Sequence, residues 1–216
     1  MTTAVYSRIC LAVPVRQADQ QPPESFSRDK DTIAPEFNPE KWTAYPLLLE
    51  FATAYAHAVN FRDPCPFRLQ PGQLAGCDPD SLDPKYRNPS RAAVLAVCDG
   101  LTYTGNILRR DKGTYPVALF FSKLHDMPLW VRENADGTWS LKIPGHAPEI
   151  LCDAEGKYIR NISRVRIRLW PDDLNMEFTF SGFFNVPRAG LTFQRDPPPA
   201  PSGQVVPVNQ GLRLVL

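Results

Sequence analysis

No stretch of this 216-residue chain approaches the roughly 20 consecutive apolar residues needed to span a bilayer. The opening apolar run, Ile9 to Val15, is short, and Arg8 and Arg16 bracket it without a small-residue cleavage pattern, so neither a membrane nor a secretory leader is expected. The five cysteines (Cys10, Cys65, Cys77, Cys98, Cys152) are odd in number and never spaced as CxxC. That removes the usual zinc arrangements and fits reduced thiols in the cytoplasm. Glycine-rich phosphate loops are missing too: Gly72, Gly76, Gly100, Gly105 and Gly113 stand alone, which disfavours nucleotide-dependent catalysis. Histidine is scarce, with His57, His125 and His146 in no recognisable metal-ligand spacing. Nothing in the spacing supports Cys98 and His125 as a nucleophile and its base, and His125 with Asp126 as a base and its orienter would point opposite ways as neighbours on a strand. No cofactor, metal or catalytic residue is expected, and no internal repeat is present.

Proline, by contrast, is abundant. The 23 prolines are about double the usual share. They argue against long helices and for short strands, turns and extended loops. Hydrophobic residues at 43% and charged residues at 22% are ordinary for a globular chain of this length, which can bury a sizeable core. The net charge of +1 averages two unlike segments. Gln17 to Pro84 holds 11 acidic and 5 basic residues, whereas Lys85 to Arg168 holds 14 basic and 8 acidic. Opposite charge of this kind suggests either internal pairing or separate partners.

A single domain over residues 1–216 is expected, with an extended arm at 17–39, a proline-rich irregular connection at 62–89 and a proline-rich tail at 195–204. Val5 to Arg16 reads as a first strand. Asn38-Pro39-Glu40 starts a helix, with Asn38 as its cap. It continues to Val59 with Leu47, Leu48, Phe51, Tyr55 and Ala58 on one face, and Pro46 kinks or restarts it. From Ala92 onward the pattern reads as β. Ala92–Cys98 and Leu101–Arg109 flank the hairpin signal Asp99-Gly100. Thr114–Leu124, Leu129–Glu133, Thr138–Ile143, Glu149–Cys152 and Gly190–Phe193 follow as strands, and Val205–Leu216 has the residues to pair back as a last one. The class is mainly β (α+β): an antiparallel sheet of hairpins with one packed N-terminal helix and long proline-rich loops.

The most informative stretch is Arg164 to Leu169. Arg164, Arg166 and Arg168 alternate with Val165, Ile167 and Leu169, which places the arginines on one strand face and the aliphatics on the other. Trp170 continues the arginine face, and Leu174 to Phe180 alternates as the partner strand after a Pro171-Asp172-Asp173 turn. Guanidinium groups about 7 Å apart suit a phosphate chain, and an indole offers a base a stacking surface worth about 1–3 kcal/mol. The neighbouring hairpin repeats the theme: with Leu129 and Val131 inward, Trp130 and Arg132 face out, and Ser140 and Lys142 do the same on its partner. Arg109, Arg110 and Lys112 cluster at a turn. A bland explanation competes, because exposed strands carry Arg to deter edge pairing and Arg can lie structurally across Trp. Glu177 should sit opposite the arginines and offset one charge.

The expected function is a non-enzymatic subunit of a larger complex that binds nucleic acid, single-stranded DNA or RNA, through this basic face. Its candidate residues are Arg164, Arg166, Arg168, Trp170, Trp130, Arg132, Lys142, Arg109 and Arg110. Protein partners in an assembly are expected as well. One alternative is a structural subunit of a phage or secretion particle, suggested by the proline-rich arms and bipolar charge. Another is a small-ligand binder lined by Phe178, Phe180, Phe183 and Phe184. The order of opening strand, loop and Leu/Ala-rich helix (Pro46 to Val59) faintly resembles the start of RNA-binding subunits of CRISPR surveillance complexes. The glycine-rich loop that usually ends those proteins is not reproduced by Gly182 and Gly190 alone, so no family is assigned.

Overall fold

Strand β3 (Thr114–Ser122) is an almost unbroken apolar run, and a strand apolar on both faces must be covered on both. The computed structural model describes residues 10–14, 34–61, 68–77, 89–153, 155–169, 176–188 and 191. Around β3 it builds an antiparallel sheet of eight strands in the order β1-β7-β8-β3-β4-β5-β6, with β2 pairing β8 off that path. The other strands are β1 (Cys10–Pro14), β2 (Thr102–Gly105), β4 (Met127–Glu133), β5 (Trp139–Leu141), β6 (Glu149–Ile150), β7 (Val165–Leu169) and β8 (Glu177–Pro187). Residues 17–33, 62–67, 78–88 and 195–204 lie outside the described residues, as does nearly all of the C-terminal strand candidates. No described helix is long and apolar enough to cross a membrane.

The register sorts the core into two clusters, one on each face of the sheet. Val117, Leu119, Trp130, Phe184 and Val186 face the helices, with Trp42, Tyr55, Ala58, Ala93 and Ala96 above them. Ala118, Phe120, Leu129, Val131, Phe178 and Phe183 face the other way, against Val165, Ile167, Leu169 and the Leu151, Ile159 and Ile162 side chains. The phenylalanines considered as a cavity lining divide between the two clusters: Phe178 and Phe183 lie in one, with Phe180 4.7 Å from Phe183 between ring centroids, and Phe184 lies in the other, 5.1 Å from Trp130. Pro116 precedes Val117–Arg132, the first β3–β4 pair, so it sits where the strand has a neighbour on one side only.

The expected long helix is three short ones: α1 (Glu40–Thr43), α2 (Pro46–Phe51) and α3 (Ala54–Ala58). Asn38 does cap the first, its Oδ1 accepting from the Lys41 amide at 3.1 Å. Pro46 drives Tyr45 into the extended region (φ −130°, ψ 138°) and restarts the chain as α2. Thr53 then breaks it again and caps α3, accepting from the Ala56 amide at 3.1 Å.

Ala92–Cys98 is not a strand. It belongs to α4 (Pro89–Cys98), headed by a proline and rich in alanine, the strongest helix former. Asp99-Gly100 closes that helix rather than a hairpin. Gly100, at φ +104°, donates to Val97 O at 2.9 Å, and Leu101 donates to Ala96 O at 3.0 Å. This is a Schellman cap, which uses the same left-handed glycine that a tight hairpin would.

One close approach fixes the β2–β8 contact. A Cβ built on Gly182 would lie 2.8 Å from Tyr103 Cε2 and 3.1 Å from Tyr103 Oη, at a bulge in the β3–β8 register. Gly182→Ala should therefore force the Tyr103 ring aside and lower stability by about 1–3 kcal/mol. Urea unfolding monitored by fluorescence measures this, and a change below the error of the method would mean that Tyr103 yields freely.

Candidate nucleic-acid interface

The arginine strand exists as expected. β7 buries Val165, Ile167 and Leu169, while Arg166 is exposed and Arg168 half-buried on the other face. The 3-10 turn Ile162–Arg164 leads into it and leaves Arg164 exposed. Glu177 pairs directly with Arg168 in the β7–β8 register, and its carboxylate serves both neighbours. Arg166 Nη1 donates to Glu177 Oε1 at 2.8 Å. Arg168 donates to Glu177 Oε2 from Nε at 3.2 Å and from Nη2 at 3.1 Å. The side chains of Arg166 and Arg168 remain 47% and 31% exposed, so solvent screens these pairs and they add little stability. Glu177 offsets one charge of the strip, as expected. It also changes the geometry: the two guanidinium groups converge on one carboxylate instead of standing as separate rungs.

The second hairpin departs from expectation. Trp130, Arg132, Ser140 and Lys142 all point away from Leu129, Val131, Trp139 and Leu141, as the alternation requires, but that face is not solvent. α1 to α3 cover it, leaving Trp130 and Arg132 1% exposed and Ser140 and Lys142 fully buried. Trp130 packs between Tyr55 and Phe184, at 5.2 and 5.1 Å. Arg132 donates from Nη1 to His57 O at 3.2 Å and to Asn60 Oδ1 at 3.3 Å. Lys142 spends its ammonium on three carbonyls: Leu49 at 2.8 Å, His146 at 3.0 Å and Ile143 at 3.3 Å. It thereby ties α2 to the turn after β5, and burial pushes its pKa down to about 8. None of these three can reach a surface ligand in this fold. Arg110 is held by Glu133, with Nε 2.9 Å from Oε2 and Nη2 bonded to Oε1. Arg109 is exposed one residue away, and Trp170 lies outside the described residues.

Beneath the helices lies a polar cluster that sequence reasoning missed. His57 stacks on Trp42 (5.0 Å, 14° between planes), and its Nε2 is 3.4 Å from Ser140 Oγ. Ser140 donates to Asn134 Oδ1 at 2.9 Å, Asn134 Nδ2 to Thr138 Oγ1 at 3.0 Å, and Thr138 to Asp136 Oδ1 at 2.6 Å. A serine beside a histidine has the parts of a nucleophile and base. Here the Ser140 proton points to Asn134 rather than His57, and both residues are sealed at 1% exposure or less. The cluster joins the helical layer to β4 and β5; its chemistry is structural. The only signal for it was polar residues alternating with core residues, the same pattern that a wet strand face shows.

Among the described residues no group of three or more His, Cys, Asp or Glu could hold a metal ion. Comparison with family models, curated proteins and solved structures finds no match.

Proposed function

We propose that this chain is a non-enzymatic, cytoplasmic subunit that binds single-stranded nucleic acid across the solvent face of β7, within a larger complex. The observation that carries the reading is the charge of that face. Arg166 and Arg168 lie on it, Arg164 is exposed in the turn that leads into the strand, and the described residues return one carboxylate, Glu177, to the three cations. The Arg164 guanidinium has no partner among the described residues, and Arg166 commits one of its three nitrogens. Strips of this kind attract phosphate chains through counterion release, without reading base sequence. The interface is smaller than the alternation suggested, because Trp130, Arg132 and Lys142 belong to the interior.

The test is fluorescence anisotropy with a labelled single-stranded oligonucleotide at 50 and 200 mM salt. Replacing Arg164, Arg166 and Arg168 together by serine should weaken binding at 50 mM salt at least tenfold while leaving the melting temperature within a few degrees. A wild-type chain that shows no binding at 50 mM salt would overturn the reading, as would a triple variant that binds like wild type.

A further inference from the structure

Resting on that reading, we infer that Glu177 is a built-in competitor for the phosphate seat, and that it selects chains of phosphates over single small anions. Each Glu177 oxygen already takes one arginine: Oε1 holds Arg166 Nη1 at 2.8 Å, and Oε2 holds Arg168 Nε and Nη2 at 3.2 and 3.1 Å. These are the donors with which guanidinium groups grip phosphate oxygens, and the Arg166 bond has the length of a charge-assisted one. The carboxylate is not a passing surface contact, because its strand position places it. Arg168 and Glu177 are direct register partners, and the Arg166–Thr179 pair lies two residues further along, on the same face. Cross-strand neighbours of opposite charge find each other without a long search of rotamers.

A ligand must therefore exchange with Glu177 before it can use Arg166 and Arg168. Free phosphate or sulfate offers the arginines little more than Glu177 does and meets its repulsion as well. An oligonucleotide gains from several phosphates at once, with Arg164 as a first contact that requires no exchange, and release of its condensed counterions offsets the displaced ion pair. In the wild-type chain the strip is thus partly self-occupied, and its affinity for nucleic acid is held below what its arginines could supply.

The test is Glu177→Gln, which keeps the shape and one acceptor but removes the charge. Its affinity for a single-stranded oligonucleotide at 50 mM salt should rise about tenfold. The slope of log K against log salt should steepen by about 1.4, from about 0.7 for each of the two released arginines. Inorganic phosphate at millimolar concentration should compete with the oligonucleotide on E177Q but not on wild type. A general charge effect is separated by repeating the exchange in an Arg166→Ser/Arg168→Ser background, where the gain should vanish. The inference is overturned if wild type binds and E177Q binds with the same affinity and slope, or if the gain survives without the two arginines. If neither wild type nor E177Q binds, the function proposed above fails instead. Thermal melts of each variant exclude unfolding as a cause, since Glu177 is a partly exposed first residue of its strand and its loss leaves no buried group unpaired.

Discussion

Asp99→Asn should destabilise the fold by about 2–3 kcal/mol, although it changes one atom and touches no surface. The Asp99 carboxylate is 2% exposed and collects donors from two separate segments. Tyr55 Oη donates to Oδ2 at 2.6 Å, the Gly72 amide to the same oxygen at 2.6 Å, and the Ala75 amide to Oδ1 at 2.9 Å. Burial raises its pKa, and these hydrogen bonds work against that shift by favouring the ionised form. Asp99 thus pins α3 and the turn at 71–76 to the end of α4. An asparagine keeps one acceptor but must aim its amide at an N–H or O–H that also donates. At least one buried donor is then orphaned, a loss of about 1–3 kcal/mol in itself, besides the stronger charged bonds. Asp99→Ala orphans every one of these donors and should cost about 3–5 kcal/mol; Tyr55→Phe removes one and should cost about 1 kcal/mol. Urea unfolding gives the ranking. Should D99N prove no worse than Y55F, Asp99 would not be the knot that its geometry describes.

Asp99 also shows where sequence reasoning stops. Aspartate before glycine permits a left-handed residue and a tight reversal, and both a hairpin and a helix cap use them. What separates the two is the chain before it. In Ala92–Cys98 an unbroken apolar run has no period, so its alanines and the leading Pro89 were the informative residues. The β4–β5 hairpin is a different lesson. Alternation assigns residues to faces, and here it did so without error: Trp130 and Arg132 do lie opposite Leu129 and Val131. It does not say which faces are wet. A face with Arg, Lys and Ser can be dry when every long side chain finds carbonyls, and Arg132 and Lys142 find theirs on α3, on α2 and in adjoining turns. β7 was legible because its covered face is wholly aliphatic and Glu177 lies opposite Arg168 on the partner strand. No local pattern could forecast the convergence of two arginines on that carboxylate, since it depends on χ angles across two strands.

The same dry interface predicts acid sensitivity centred on His57. Burial lowers its pKa well below the ordinary value of 6.5, and the cations of Arg132 and Lys142 lower it further. The ring lies flat on Trp42, and Nδ1 has no hydrogen-bond partner among the described residues. A second N–H on the protonated ring would have no acceptor there. Folded His57 therefore stays neutral while the unfolded chain takes up a proton as pH falls below 6.5. The unfolded state then binds more protons, and the linkage relation makes stability fall with falling pH. The loss should approach about 1.4 kcal/mol for each pH unit below 6.5, until the depressed folded pKa is reached. His57→Gln keeps the backbone carbonyl that Arg132 uses, and it should flatten this slope between pH 6.5 and 5. Urea midpoints at half-unit steps of pH measure both curves. Parallel curves for wild type and H57Q would show that the acid limb belongs to carboxylates instead. A flattened one places the weak point of the fold where the helical layer meets two buried cations.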